Sequence, residues 1–137
     1  MAGPRLVTGL RITAIHNQRQ GASNTNEEWV RIENRGTEQW DLRGWLITDE
    51  TDRQIDPHVC RLPDKLGNDQ GWTFAPGEVL YLITGRGTDA FVARPSSGPP
   101  QFHFCWNRDA FVWNNRGDRM YLRHPNGQFA TQPFPIP

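Results

Sequence analysis

Two copies of a His-x-Cys pattern hold the side chains of this chain that are best suited to chemistry. They are His58-Val59-Cys60 and His103-Phe104-Cys105. Because residues two apart on a β-strand point to the same face, each pair would present an imidazole and a thiolate together. If the two strands were neighbours, the four groups could approach the tetrahedral arrangement that Zn²⁺ prefers.

More ordinary explanations of these pairs are open as well. Cys60 and Cys105 could be small buried residues with free thiols, or they could form a disulfide in an oxidising location. More than forty residues separate the two pairs, and that spacing fits no standard zinc finger. Buried cysteines are therefore the favoured interpretation, and the sequence predicts no metal and no cofactor.

Acidic residues gather at a second place, formed by Asp49, Glu50, Asp52 and Asp56. A calcium ion needs several oxygens that converge on one point. However, Arg53 lies among these residues and the glycine and terminal glutamate of an EF-hand are missing, so a solvated turn is favoured. The chain also lacks a nucleotide-binding glycine loop, a nucleophile elbow and paired histidines on a helix. We therefore predict no catalytic residues.

Length and composition indicate one globular domain of balanced charge. The chain has 137 residues, 36% of them hydrophobic, with fifteen basic and fifteen acidic residues that are interleaved. This balance argues against nucleic-acid binding through a basic face. No stretch is apolar enough to span a membrane, and the N-terminus lacks a signal-peptide pattern, so the cytoplasm is the default compartment, with export by another route left open.

The elements that must position these side chains are short strands. Val30 and Ile32 alternate with Trp29, Arg31 and Glu33, the period-two pattern of a strand with one buried face. Similar patterns predict further strands around residues 10–16, 42–47, 58–62, 79–83, 102–106, 111–113, 119–123 and 128–131. The segment 79–83 is almost continuously apolar, which is typical of a central strand. Because no window has helical periodicity, the sequence predicts an all-β sandwich.

Four segments are predicted to lie outside this framework. Residues 17–26 are polar and should form an exposed loop, while residues 50–70 and 86–101 should form long irregular loops. Residues 132–137 carry proline at every other position and should be an extended tail, because proline cannot donate to a ladder. The predicted organisation is thus an N-terminal extension (1–9), a sandwich domain (10–131) and a proline-rich tail (132–137).

Four motifs in order resemble the lamin tail domain family. They are E-W-V-R-I-E-N-R-G at 28–36, D-L-R-G-W-L-I-T-D at 41–49, A-P-G-E at 75–78 and V-W-N-N-R-G-D at 112–118. The resemblance covers about residues 10–131 and implies an immunoglobulin-like β-sandwich. It also implies a domain without catalytic activity, whose work is docking or assembly.

The residues predicted for the core of that sandwich are apolar positions of the strands and motifs: Val30, Ile32, Trp45, Ile47, Leu80, Leu82, Trp113 and Leu122. Those predicted to contact a partner are aromatic and arginine residues beside loops, which tend to dominate interface energies: Trp40, Trp72, Arg86, Arg94 and Trp106.

The predicted function is a non-catalytic protein-interaction or assembly module, acting as an adaptor or subunit with a protein partner. Self-association into a homo-oligomer is kept open. Two alternatives belong to other classes: a metal-dependent or nuclease-associated hydrolytic protein that uses the His-x-Cys pairs, and a protein that binds nucleic acid through its arginines.

Overall fold

The fold is built from strands, with two short 3₁₀ turns. A computed structural model describes residues 9–49, 58–67, 71–93, 95–114, 116–125 and 133–137. Within these ranges the strands are β1 (Leu10–His16), β2 (Trp29–Asn34), β3 (Trp40–Asp41), β4 (Leu46–Thr48), β5 (Val59–Arg61), β6 (Thr73–Phe74), β7 (Val79–Ile83), β8 (Ala90–Val92), β9 (Gln101–Cys105), β10 (Arg119–Arg123) and β11 (Phe134–Pro135). The 3₁₀ turns are Gln18–Gln20 and Thr25–Glu27.

The larger sheet has five strands in the order β1-β2-β7-β9-β8. All neighbours are antiparallel except β7 and β9, which are parallel. The register places Ile32 beside Leu80 and Leu80 beside Phe102, so these apolar side chains share the inner face. The central position predicted for residues 79–83 is confirmed, since β7 lies between β2 and β9.

The second sheet has four antiparallel strands in the order β11-β10-β4-β5. Its register places Leu122 beside Ile47 and Ile47 beside Cys60. A small sheet of β3 and β6 accompanies the two larger ones. Together the sheets form the immunoglobulin-like sandwich that the sequence predicts.

The core is a single apolar cluster to which both larger sheets contribute. All eight residues that the sequence assigns to the core are at most 2% exposed. Alternation along each strand produces this pattern, because every second side chain of a sheet points to the same face. In β2, for example, Val30 and Ile32 are fully buried, while Trp29 and Arg31 are half-buried.

Strand β1 does not follow the simple alternation expected for it. The pairing with β2 shifts register between Ile12 and Ala14, which is the signature of a β-bulge. Ile12 before the shift and Ile15 after it are both buried, although an odd number of positions separates them. The simple alternation that the sequence predicts for residues 10–16 is therefore wrong across the bulge.

Two strand assignments also differ from the sequence prediction. Residues 111–113 form no strand, because the backbone N–H groups of Val112 and Trp113 donate to the Glu28 carboxylate instead of a ladder. Conversely, β8 lies inside the segment 86–101 that was predicted to be irregular. The predicted strand at 128–131 lies outside the described residues.

The proline-rich end takes part in the second sheet, so its description as an extended tail is wrong. Phe134 pairs with Met120, and Ile136 N–H donates to the Asp118 carbonyl at 2.8 Å. The hydrogen bond to Asp118, the residue before β10, is donated by the N–H of Ile136. Pro135 lies at a position of this edge strand where no backbone N–H is required. Ile136 is only 3% exposed. The division of the chain into 1–9, 10–131 and 132–137 stays a prediction in other respects.

The polar segment 17–26 is more ordered than expected. Asn17 is fully buried, and its side-chain oxygen accepts from Gln20 N–H as the cap of the first 3₁₀ turn. Its amide donates to the carbonyl of Trp113 at 2.8 Å and to that of Pro137 at 3.5 Å. The prediction of an exposed loop is wrong for Asn17, which links three distant parts of the chain.

Candidate functional site

The two His-x-Cys pairs lie in different sheets. His58 and Cys60 are at β5 of the four-stranded sheet, while His103 and Cys105 are in β9 of the five-stranded sheet. The four-ligand metal site required these strands to be neighbours, so that arrangement is wrong. Across the described ranges, no three His, Cys, Asp or Glu residues are grouped as metal ligands.

His58 forms hydrogen bonds with Asp49, one of the four residues of the predicted acidic cluster. The Oδ1 atom of Asp49 accepts from His58 N–H at 3.0 Å, and its Oδ2 atom lies 3.0 Å from His58 Nδ1. Asp49 is fully buried. The pair joins the end of β4 to the start of β5, and this position explains both residues structurally. Glu50, Asp52 and Asp56 lie outside the described residues.

Both cysteines are buried free thiols. Burial raises the pKa of Cys60 to about 12, although the charge of Arg108 acts in the opposite direction. The pKa of Cys105 is also raised, first by burial and then by the negative charge of Asp89. Since the thiolate is the reactive and metal-binding form, neither thiol is prepared for nucleophilic attack at neutral pH.

Trp72 is an interface candidate that the structure places inside the protein. Its side chain is 2% exposed, and its ring stacks on Phe102 with centroids 5.6 Å apart. The Trp72 carbonyl accepts from Leu42 N–H at 3.1 Å, which holds this segment against the core. The prediction that Trp72 contacts a partner is therefore wrong.

The other two tryptophan candidates are half-buried at the margin of the core. Trp40 meets Trp45 edge to face at 6.0 Å. Trp106 stacks on Trp113 at 5.9 Å, and the guanidinium carbon of Arg108 lies 4.8 Å from the Trp106 ring centroid. Each therefore packs against the core and leaves part of its ring accessible.

Of the arginine candidates, Arg86 is exposed and pairs with Asp109 at 2.9 Å. Its backbone N–H donates to Asn26 Oδ1 at 2.7 Å. Arg94 lies outside the described residues. The structure thus distributes the predicted interface residues over separate places and does not bring them together as one surface.

A different set of residues forms a row of aromatic rings on the outer face of the five-stranded sheet. Trp29 and Tyr81 meet edge to face with centroids 5.3 Å apart, and Tyr81 meets His103 in the same way at 5.8 Å. The row continues on the other side, where His16 stacks on Trp29 at 5.6 Å. The rings come from β1, β2, β7 and β9, whose outward positions the register aligns.

This row borders a groove of about 240 Å³, which we call the outer groove. Its lining residues come from four segments: Asn26, Trp29, Tyr81, Ile83, Gln101 and His103. Among the residues that the structure describes, no Asp, Glu, Lys or Arg lines the groove. Burial lowers the pKa of His103, so its imidazole is neutral at neutral pH. The described lining of the outer groove is therefore aromatic, aliphatic at Ile83, polar elsewhere and uncharged.

Side-chain contacts hold two ends of the outer groove in place. His103 Nε2 lies 2.6 Å from Gln101 Oε1, and with that oxygen as acceptor the imidazole proton is on Nε2. At the other end, the Asn26 oxygen is held by Arg86 N–H. These contacts restrict the rotation of the Gln101, His103 and Asn26 side chains.

Charged residues elsewhere on the surface are commonly paired. Glu33 contacts Arg31 at 3.2 Å and Arg35 at 3.3 Å, and Arg43 contacts Asp41 at 3.6 Å. A second, larger cavity of about 530 Å³ is lined by Arg19, Gln20, Arg116, Gly117, Ile136 and Pro137. The paired charges agree with the interleaved charge of the sequence.

Of the residues in the outer groove, the sequence singled out only His103, and then as a metal ligand. The alternation of β2 could have indicated Trp29, because a large aromatic at an outward position needs an explanation. Tyr81 lies within the apolar run 79–83, and nothing in that run indicates that its side chain points outward. The grouping depends on the register of three strands, which no local pattern contains.

Comparison with known families shows which family the chain resembles along its length. The model of the Lamin Tail Domain family matches residues 7–132, nearly the whole chain. None of the curated proteins that were searched matches the chain. Among the described residues, no helix is both long and apolar enough to cross a membrane. The family is consistent with a non-catalytic interaction module. The resemblance carried by the four sequence motifs is thereby confirmed, and the chain belongs to the lamin tail domain family.

Proposed function

We propose that this protein is a non-catalytic interaction module that binds a protein partner through the outer groove. The observation that supports this most is the aromatic row of Trp29, Tyr81 and His103 on an accessible sheet face. All three side chains are half-buried, so each retains surface for a further contact. Aromatic residues of this kind are enriched among the few positions that dominate interface energies.

The surroundings of the outer groove suit an interface. The paired charges Arg31–Glu33 and Arg86–Asp109 lie nearby in sequence and register. A polar margin around an aromatic centre excludes water from the central contacts. Because the rings stand on strands of one hydrogen-bonded sheet, little conformational entropy is lost when a partner binds. An adaptor or assembly subunit would work through such a rigid, preformed surface.

The hydrolytic alternative has less support. Its four ligands lie in two sheets, and both thiols have raised pKa values. The nucleic-acid alternative rests on arginines, and several of these are paired with carboxylates. Both alternatives stay predictions from sequence.

Site-specific photo-crosslinking in the native host tests the proposal. A photoreactive phenylalanine analogue would replace Tyr81 in one variant and Val59 in a matched control. Val59 lies on the other sheet and is 46% exposed, so it samples accessible surface away from the outer groove.

We expect one protein to be crosslinked from position 81 and absent from position 59. Affinity for that protein should fall at least about tenfold in Trp29→Ala, in line with the loss of a central aromatic contact. The same adducts at both positions, or none at position 81, would contradict the proposal.

A further inference from the structure

We infer that the outer groove receives a proline-rich segment of the partner protein in the polyproline II conformation. This inference rests on the proposed function and specifies the ligand of the same site. Three independent properties of the outer groove lead to it: its lack of charge, its excess of hydrogen-bond donors and the length of its aromatic row.

The lack of charge selects an uncharged ligand. None of the described lining residues carries a formal charge at neutral pH. A charged side chain or phosphate placed in the outer groove would lose hydration without gaining an ionic partner there, which is unfavourable. Neutral side chains, neutral sugars and peptide backbone remain as candidate ligands.

The hydrogen-bond groups narrow this choice further. The side-chain oxygen of Asn26 accepts from Arg86 N–H, and that of Gln101 accepts from His103. Each amide oxygen thus already accepts one hydrogen bond. Within the part of the chain that the structure describes, the two amide NH₂ groups, the indole N–H of Trp29 and the O–H of Tyr81 form no hydrogen bond.

The outer groove therefore offers more donors than acceptors. Among the described side chains of the groove, the acceptors that remain are Tyr81 Oη, His103 Nδ1 if the proton is on Nε2, and one lone pair on each amide oxygen. The two NH₂ groups, the indole N–H and the Tyr81 O–H outnumber them. A suitable ligand has many carbonyl oxygens and few N–H groups. Proline meets this condition because it has a carbonyl but no backbone N–H. In the polyproline II helix those carbonyls form no internal hydrogen bonds and stay available to a partner.

The dimensions of the aromatic row agree with that helix. The centroid separations of 5.3 Å and 5.8 Å lie end to end, so the three rings span at most about 11 Å. One turn of polyproline II has three residues and rises roughly 9 Å. Prolines three residues apart could therefore contact the two ends of the row, and aromatic-lined grooves are a general way to bind such segments.

A sugar is the strongest competing ligand, since aromatic rings also stack on sugars. Sugar hydroxyls, however, are donors as well as acceptors, and the outer groove has few acceptors left for them. The donor excess therefore favours the prolyl segment, and a sugar is included in the test as an alternative outcome.

The test is a titration of the purified ¹⁵N-labelled protein, followed by nuclear magnetic resonance. The probes are a hexaproline peptide, a glycine-serine peptide of the same length and a neutral maltohexaose. We expect saturable shifts with hexaproline only, at the Trp29 indole N–H and the Gln101 side-chain amide. No shift with hexaproline, equal shifts with the glycine-serine peptide, or shifts with maltohexaose alone would overturn the inference.

Two variants separate the donor argument from a general loss of packing. Gln101→Glu keeps the shape of the side chain but replaces the amide donor with a negative charge, and should weaken hexaproline binding at least fivefold. Tyr81→Ala should weaken it at least tenfold, whereas Val59→Ala on the other sheet should leave it unchanged. Retained affinity in Gln101→Glu would contradict the donor argument.

The crosslinking experiment distinguishes failure of this inference from failure of the proposed function. A partner captured at position 81 through a segment without proline would leave the interaction function standing and overturn the prolyl assignment. Capture through a proline-rich segment would support both.

Discussion

Glu28 is a fully buried residue whose carboxylate accepts hydrogen bonds from the backbone of residues 112–113. These backbone N–H groups therefore need no partner in a β-ladder. Its Oε1 atom accepts from Thr84 Oγ1 at 2.6 Å, from Val112 N–H at 2.9 Å and from Trp113 N–H at 3.4 Å. Its backbone carbonyl also accepts from Thr84 N–H at 2.9 Å. One side chain thus satisfies donors from two distant segments and seats the buried indole of Trp113.

We predict that Glu28→Ala destabilises the protein by about 3 kcal/mol. The substitution leaves buried donors of Thr84, Val112 and Trp113 without an acceptor, and each such donor costs about 1–3 kcal/mol. Glu28→Gln retains a side-chain oxygen and should cost only about 1 kcal/mol. Urea denaturation followed by tryptophan fluorescence measures both values.

Glu38→Ala is a suitable control, because that side chain is exposed and should change stability by less than about 0.5 kcal/mol. Equal stability of Glu28→Ala and the unmodified protein would show that the Glu28 contacts contribute little to folding.

Residue patterns in the sequence predict apolar burial well and polar burial poorly. Val30 and Ile32 follow from alternation, and Leu80 and Leu82 from the continuous apolar run 79–83. The importance of Glu28 does not, because its partners at Val112 and Trp113 are 84 and 85 residues away.

At the scale of elements, β11 shows how an apparently unsuitable sequence completes a sheet. It pairs with β10 through two positions, Arg119 with Pro135 and Met120 with Phe134. The family match ends at residue 132, yet the strand that follows is part of the same sheet. Ile136 then places its side chain in the core.

We predict that Ile136→Ala destabilises the protein by about 3 kcal/mol, because it removes a buried side chain and leaves a cavity. Ile136→Val removes a single methylene and should cost about 1 kcal/mol. Thermal or urea unfolding gives both values, and the graded pair distinguishes loss of packing from a general effect of substitution. If neither change alters stability, β11 does not belong to the folded domain.

The sequence predicts strands where a pattern is long and misses them where pairing decides the structure. β2 follows from six residues of alternation, and β7 from five residues of a continuous apolar run. β8 has only three residues, Ala90–Val92, and is a strand because β9 lies beside it. The proline rule misjudged β11 because proline is tolerated at an edge strand.

The whole molecule combines local and distant pairings in one mixed sheet. β7 is hydrogen-bonded on both sides, to β2 in antiparallel and to β9 in parallel orientation. β8 closes the sheet as a short edge strand. Such a sheet should open from its edges, since edge strands have fewer buried contacts than central ones.

We predict that amide hydrogen exchange in β7 is at least about a hundredfold slower than in β8, because opening β7 requires the core to open. Leu80 and Leu82, both fully buried, should report the slowest exchange, and Phe91 a faster one. Exchange measured residue by residue under native conditions tests this. Similar rates in the two strands would mean that the sheet opens as one unit.

At this scale the sequence predicts the class of fold and the family, while the site requires the structure. The four motifs carry enough pattern to predict an immunoglobulin-like sandwich. The outer groove depends on Trp29, Tyr81 and His103 being neighbours across three strands, and the sequence contains no signal for the order β2-β7-β9.

The position of β11 has a consequence for how the protein is made. Asn17, near the start of the chain, donates hydrogen bonds to the carbonyls of Trp113 and Pro137, and Ile136 fills part of the core. Ribosomes synthesise roughly 5–20 residues per second, so the early strands exist for several seconds before β11 emerges. We expect the nascent chain to expose part of its core until β11 has been synthesised, and we expect chaperones to bind it during that interval.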